Sequence, residues 1–140
     1  MNIDIIREGI VIDHIARGKA MQLYSMLGLD KLECPVAVIK NVPSKKTGKK
    51  DIIKIDEDIE LSLDVVGFVS PNATINIIRG GKIVEKKFID MPKVLTNIIK
   101  CKNPRCITTT EQDIEHIFTL VDEKTASYRC LYCDTKAEAK

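Results

Sequence analysis

The chain has 140 residues and a mass of 15.7 kDa, with 44% hydrophobic residues, 30% charged residues and a formal net charge of +2. That length holds one ordinary domain, or a small domain beside a minimal one, and the composition excludes a disordered chain. A balance so near neutral also excludes a protein that grips polyanions with its whole surface.

Apolar runs such as "PVAVI" are far too short to cross a bilayer. The start, "MNIDIIREGIVIDHI", lacks the basic segment, long apolar centre and cleavage site of a signal peptide. These features predict a cytoplasmic protein, where thiols stay reduced and clustered cysteines favour metal over disulfides.

Residues 9–15, "GIVIDHI", predict a strand that ends near the polar pair Asp13 and His14. Residues 16–27 predict a helix, because Ala16, Ala20, Leu23, Tyr24 and Leu27 share one face. Gly28 follows where a helix end favours glycine. "PVAVIKNV" at 35–42 and "DIIKI" at 51–55 predict two strands joined by the polar turn "PSKKTGKK". A second helix is expected over 59–69, ending before Pro71. "ATINIIR" and "KIVEKKF" flank Gly80–Gly81, a strong hairpin signal. "IDMPKVLTNI" looks like a connector. The order of elements predicts an α+β protein: an N-terminal antiparallel sheet with two helices on one face, then a small β module. We place the domains at 1–92 and 93–140. Each is formally +1, with 14 basic and 13 acidic residues in the first and 8 and 7 in the second.

The second module carries four of the five cysteines, as C-x4-C (Cys101, Cys106) and C-x2-C (Cys130, Cys133). Two short loops that each offer two sulfurs are what a tetrahedral four-cysteine zinc site needs. A module this small cannot build a sufficient core, and a structural zinc contributes about 10–16 kcal/mol of apparent folding free energy. The alternatives are four buried thiols without metal, or two disulfides. "EHIFTLV" and "ASYRC" between the pairs predict strands, so the module is zinc-ribbon-like. Four sulfurs leave no open position for water chemistry, so His116 is expected to be a surface or strand histidine. Cys34 stands alone and reads as a small buried thiol.

No nucleophile–base pair announces itself in the first ninety residues. Lys50 and Lys54 lie four apart on one face of a strand, Lys86 lies on the last hairpin, and Asp13 and His14 end the first strand. Such cations converging from separate strands suit a polyphosphate. A solvated, charged sheet edge is the blander alternative.

Together, "GIVIDHI", "KKDIIKI", "PNATINII" and the two cysteine pairs, in that order, resemble the regulatory chain of aspartate carbamoyltransferase. The resemblance runs from about Ile3 to Asp134. It implies a non-catalytic, allosteric subunit in pyrimidine biosynthesis. Its first domain would bind CTP or ATP in one shared site and form a regulatory dimer. Its second would hold one structural zinc in Cys101, Cys106, Cys130 and Cys133 and dock onto the catalytic chain, in an assembly of two catalytic trimers with three regulatory dimers. Carried over to this sequence, Asp13 and His14 would face the nucleotide, Lys54 would meet base or ribose oxygens, and Lys86 would contact phosphate and sugar. Lys50 would neutralise outer phosphates, and Ile6, Val11, Ile52 and Asn76 would line the pocket. The bare Gly80–Gly81 turn departs from the bulkier residues common there in the family.

The main alternative is a nucleic-acid-binding zinc-ribbon protein. It predicts a basic stripe with interleaved aromatics, and the chain has only three Tyr and three Phe. A small zinc enzyme would need an H-x-E beside the cysteines, which the sequence does not contain. Neither nucleic acid nor membrane is expected as a partner.

Overall fold

The structure, a computed structural model, describes residues 8–45 and 48–137. The chain divides into two compact units, Met1–Asp90 and Met91–Lys140.

The first unit runs β1 (Gly9–Ala16), α1 (Ala20–Met26), a single 3-10 turn at Leu29–Lys31, β2 (Val36–Ser44), β3 (Gly48–Ile55), α2 (Leu63–Val69), β4 (Thr74–Arg79) and β5 (Lys82–Phe88). The five strands form one antiparallel sheet in the order β2-β3-β1-β4-β5. The alternation of apolar residues decides the faces. Ile10 and Ile12 on β1 oppose Ile55 and Ile53 on β3, and Ile77 and Ile75 on β4. Of these, Ile10, Ile12, Ile53, Ile55 and Ile75 are buried. Ala20 and Leu23 of α1, which packs against β3, and Val65, Val66, Phe68 and Val69 of α2, which packs against α1, are buried too. Each buried side chain of this kind contributes about 1.5–3 kcal/mol.

Both helices start later than their periodicity suggests. Ala16 stays in β1, paired with Lys50, and Gly18 turns the chain at φ 84°. Only then does α1 begin, and Lys19 at its cap position makes no side-chain capping bond. Asp51 supplies what is missing. Its carboxylate is fully buried and accepts the N–H groups of Gly18 (3.0 Å), Ala20 (3.3 Å) and Asn41 (3.1 Å). Helix α2 starts at Leu63 because Ser62 caps it, its Oγ accepting the Val65 N–H at 3.4 Å. Gly28 takes φ 69° after α1, and Gly80 and Gly81 take φ 61° and 76°, the conformations a tight hairpin turn requires.

The second unit holds β6 (Val94–Thr96), α3 (Ile107–Thr110), β7 (Ile117–Asp122) and β8 (Ser127–Cys130). Its sheet is antiparallel, in the order β6-β7-β8. The stretch expected to be a plain connector therefore contributes an edge strand. Leu95, Phe118 and Tyr128 form its small core, and the Tyr128 hydroxyl donates to the Pro92 carbonyl at 2.6 Å. The fold is mixed α+β, with a small C-terminal sheet that carries the four clustered cysteines.

Candidate functional site

Two constellations stand out, one in each unit. In the second, the sulfurs of Cys101, Cys106, Cys130 and Cys133 all lie within 4.8 Å of one another. Cys101 and Cys133 are 3.6 Å apart, and Cys106 and Cys130 are 3.7 Å apart. A disulfide needs about 2.05 Å, so these are four separate thiols. Four sulfurs bound tetrahedrally at about 2.3 Å lie about 3.8 Å from each other. The observed spacings fit that edge, so the residues suit a closed, four-coordinate structural metal ion.

Local turns hold the sulfurs. In the first loop the Asn103 side chain accepts the Arg105 N–H at 3.0 Å, and its carbonyl accepts the Cys106 N–H at 3.1 Å. Cys106 then caps the four-residue helix α3, and Thr108 Oγ1 donates to Cys106 Sγ at 3.1 Å. In the second loop Cys130 closes β8 opposite Phe118, and Asp134 at φ 65° returns its N–H to the Cys130 carbonyl at 3.0 Å. Burial pushes the Cys101 thiol up to about 12 and raises that of Cys130 as well. The Thr135 hydroxyl, 3.1 Å from Cys133 Sγ, pulls Cys133 down to about 6. A divalent cation turns such a mixed set into four thiolates, because its charge offsets their burial.

In the first unit the site lies on the sheet face that the helices leave open. One row of facing residues crosses all five strands: Ala37, Lys54, Val11, Asn76 and Lys86. The neighbouring row places Ile39 beside Ile52, and Asp13 beside Thr74 and Phe88. Between them β1 bulges, so that Asp13 and His14 together oppose Ile52, with His14 at φ 58°. Asp13 Oδ1 takes the Lys50 ammonium at 2.9 Å and the His14 N–H at 2.6 Å. The His14 ring lies 3.2 Å from Thr74 Oγ1. Burial acts to raise the Asp13 pKa, but Lys50 and the His14 N–H outweigh it and hold the carboxyl below its usual range. Lys86 lies 5.6 Å over the Phe88 ring. Asn76 is 8% exposed, and its Oδ1 is buried with no hydrogen-bond partner among the described residues. An acceptor in that state costs about 1–3 kcal/mol unless something donates to it.

Sequence reasoning named Val11, Asp13, His14, Lys50, Ile52, Lys54, Asn76 and Lys86 for one pocket, and the sheet register brings them to one face. Ile6 lies outside the described residues. Thr74 and Asp51 were missed, and neither belongs to a motif that would have signalled it. Cys34 is half-exposed rather than buried. His116 is neither a ligand nor idle, because its ring Nδ1 accepts the Cys101 N–H at 3.2 Å.

Comparison with known proteins adds to this geometry. The family described as "aspartate carbamoyltransferase regulatory chain, allosteric domain" matches residues 1–90, and the corresponding "metal binding domain" family matches residues 93–140. The chain is 44% identical over 138 residues to the aspartate carbamoyltransferase regulatory chain of Bifidobacterium longum, covering 99% of each. It is 48% identical to that of Clostridium botulinum over 134 residues (96% of this chain, 92% of the relative). To that of Clostridium tetani it is 47% identical over 135 residues (96% and 94%).

Proposed function

The chain belongs to the family of aspartate carbamoyltransferase regulatory chains, and from that premise we propose that it is a non-catalytic subunit that tunes a separate catalytic chain in pyrimidine biosynthesis. Its first domain, 1–92, binds CTP and ATP in one shared site and forms a regulatory dimer. Its second, 93–140, holds zinc and docks onto the catalytic chain, in an assembly of two catalytic trimers and three regulatory dimers.

The observation that carries this reading is the row Lys54–Val11–Asn76–Lys86 across the open sheet face. Lys54 and Lys86 supply cations for phosphate and ribose oxygens from strands on opposite sides of Val11. Asn76 Oδ1 is a buried acceptor that nothing among the described residues donates to, as a base that offers an amino group requires. Asp13 and Lys50 form an ion pair at the far side, and a triphosphate there competes with Asp13 for Lys50.

One site serves two effectors only if each binds the low- and high-activity assemblies unequally. The coupling, typically about 1–3 kcal/mol, is reciprocal, so a nucleotide that inhibits binds the holoenzyme more weakly when a substrate analogue fills the catalytic chains, and one that activates binds more tightly. Zinc supplies a structural cross-link with no open position for water. The four cysteines hold it, and the fold around them keeps the docking surface in shape.

Calorimetric titration of the zinc-loaded chain with CTP, with ATP as competitor, tests the proposal. Saturable CTP binding displaced by ATP is expected. A folded, zinc-loaded chain that binds neither nucleotide would sink the effector reading and leave a zinc-stapled interaction module.

A further inference from the structure

The two cysteine loops are far apart in sequence, and a dipeptide at the start of β7 ties them to each other. His116 Nδ1 accepts the backbone N–H of Cys101, the first residue of the first loop, at 3.2 Å. The next residue, Ile117, accepts the Leu131 N–H, inside the second loop, at 2.8 Å. His116 is itself fixed at both backbone groups. Its N–H donates to Asn97 Oδ1 at 2.9 Å, and its carbonyl accepts the Asn97 N–H at 2.7 Å. Asn97 sits just past β6 at φ 57°, where its side chain reaches back to close the ladder that Thr96 and Ile117 end.

We propose that His116 is a positioning residue for the metal, an imidazole strut that sets Cys101 in its ligating orientation and holds the first loop at a fixed distance from the second. A backbone N–H in this role fixes the peptide plane, and with it the direction in which the Cys101 side chain leaves the chain. The Cys101–Cys133 pair spans the two loops at 3.6 Å, so its spacing depends on that direction. An acceptor at Nδ1 also fixes the tautomer, with the proton on Nε2. His116 does not ligate, since four sulfurs already complete the tetrahedron. Groups that orient metal ligands in this way typically change metal affinity by about 10–100-fold when removed.

The proposal rests on the metal-site reading, and its test separates the two. Asn Oδ1 occupies nearly the place of His Nδ1, so His116→Asn keeps an acceptor where His116→Ala removes it. Zinc release from the full-length chain to excess chelator is followed at fixed pH with a chromogenic zinc indicator. Release at least about tenfold faster from His116→Ala, with His116→Asn near the unmodified chain, is expected. Equal rates for all three, or His116→Asn as fast as His116→Ala, would overturn the strut. Nitrogen NMR of the histidine rings in the unmodified, zinc-loaded chain decides the matter even if a variant does not fold. A bare Nδ1 and protonated Nε2 on His116 are expected, and a proton on Nδ1 removes the acceptor and the proposal with it. An unmodified chain that takes up no zinc overturns the metal reading itself.

Discussion

Lys50 Nζ lies 2.9 Å from Asp13 Oδ1, and both side chains are mostly shielded from water, at 17% and 21% exposure. The pair stands beside the β1 bulge, where the same oxygen also takes the His14 N–H. Burial opposes ionisation of Asp13, but these donors win and its pKa falls below the ordinary 3.8. A carboxyl depressed in the folded state binds fewer protons there than in the unfolded chain. Its stabilisation is complete above the unfolded value and is lost as pH falls through the folded one. The nucleotide-free chain should therefore show a lower urea midpoint for Asp13→Asn than for the unmodified chain at pH 7, and the gap should close as pH falls through the depressed folded-state value, below the ordinary 3.8. A gap that persists unchanged at low pH would mean the ion pair is not its source.

The open sheet face makes a separate prediction about affinity. Lys54→Met keeps much of the side-chain stem but removes the cation, and loss of a charge-assisted bond costs about 1.5–3 kcal/mol. CTP affinity should fall by roughly tenfold to a hundredfold, with zinc content unchanged. Asn76→Leu should weaken CTP less, by a factor of about ten or below, because one neutral hydrogen bond is lost. Its urea midpoint without nucleotide should rise, since Asn76→Leu removes a buried acceptor that nothing among the described residues satisfies. Calorimetry and urea titration read both quantities, and CTP affinities equal to the unmodified chain would remove these residues from the site.

Much of this arrangement was legible in the sequence, because period-2 alternation fixes sheet faces. Once β1, β3 and β4 are strands, Val11, Lys54 and Asn76 must leave the face that Ile10, Ile53 and Ile75 fill. The cysteine spacing similarly demanded a common point for four sulfurs. The helix starts were not legible, because they depend on caps. Ser62 is a local cap, but the N–H groups ahead of α1 are satisfied by Asp51, distant in sequence. His116 was hidden for a related reason. Its role depends on the turn between Asn97 and Cys101, which no periodicity announces.

Among the described residues of the first unit, Asp51 is the buried charged side chain. It is fully buried, and its carboxylate joins three segments: the Gly18 turn, the first residue of α1 and the bulge at Asn41 in β2. A buried charge persists only when its partners are in place. Asp51→Ala leaves three backbone N–H groups without an acceptor and should cost more than about 3 kcal/mol, since bonds to charged groups contribute about 1.5–3 kcal/mol each. Asp51→Asn keeps one acceptor oxygen and should fall between. Thermal or urea unfolding measures both, and a loss below about 1 kcal/mol for Asp51→Ala would show that water replaces the carboxylate.

The metal site gives a graded test within the second unit. Cys106 is 1% exposed, caps α3 and receives the Thr108 hydroxyl at 3.1 Å. Cys106→Ser removes a ligand from a unit whose core is little more than Leu95, Phe118 and Tyr128, so most of the roughly 10–16 kcal/mol tied to zinc is forfeited. The variant should hold well under one zinc per chain, lose the near-ultraviolet signal of buried Tyr128, and fail to co-elute with catalytic trimers. CTP binding should survive, because no residue of the proposed nucleotide site lies in the second unit. Thr108→Val removes only the hydroxyl donor and should speed zinc release by about tenfold to a hundredfold without unfolding the unit. Zinc assay, circular dichroism and size-exclusion chromatography with catalytic trimers measure these outcomes. A Cys106→Ser chain that loses its zinc yet still joins the trimers would show that docking does not depend on the metal. A Thr108→Val chain with unchanged release would assign the hydroxyl to α3 alone.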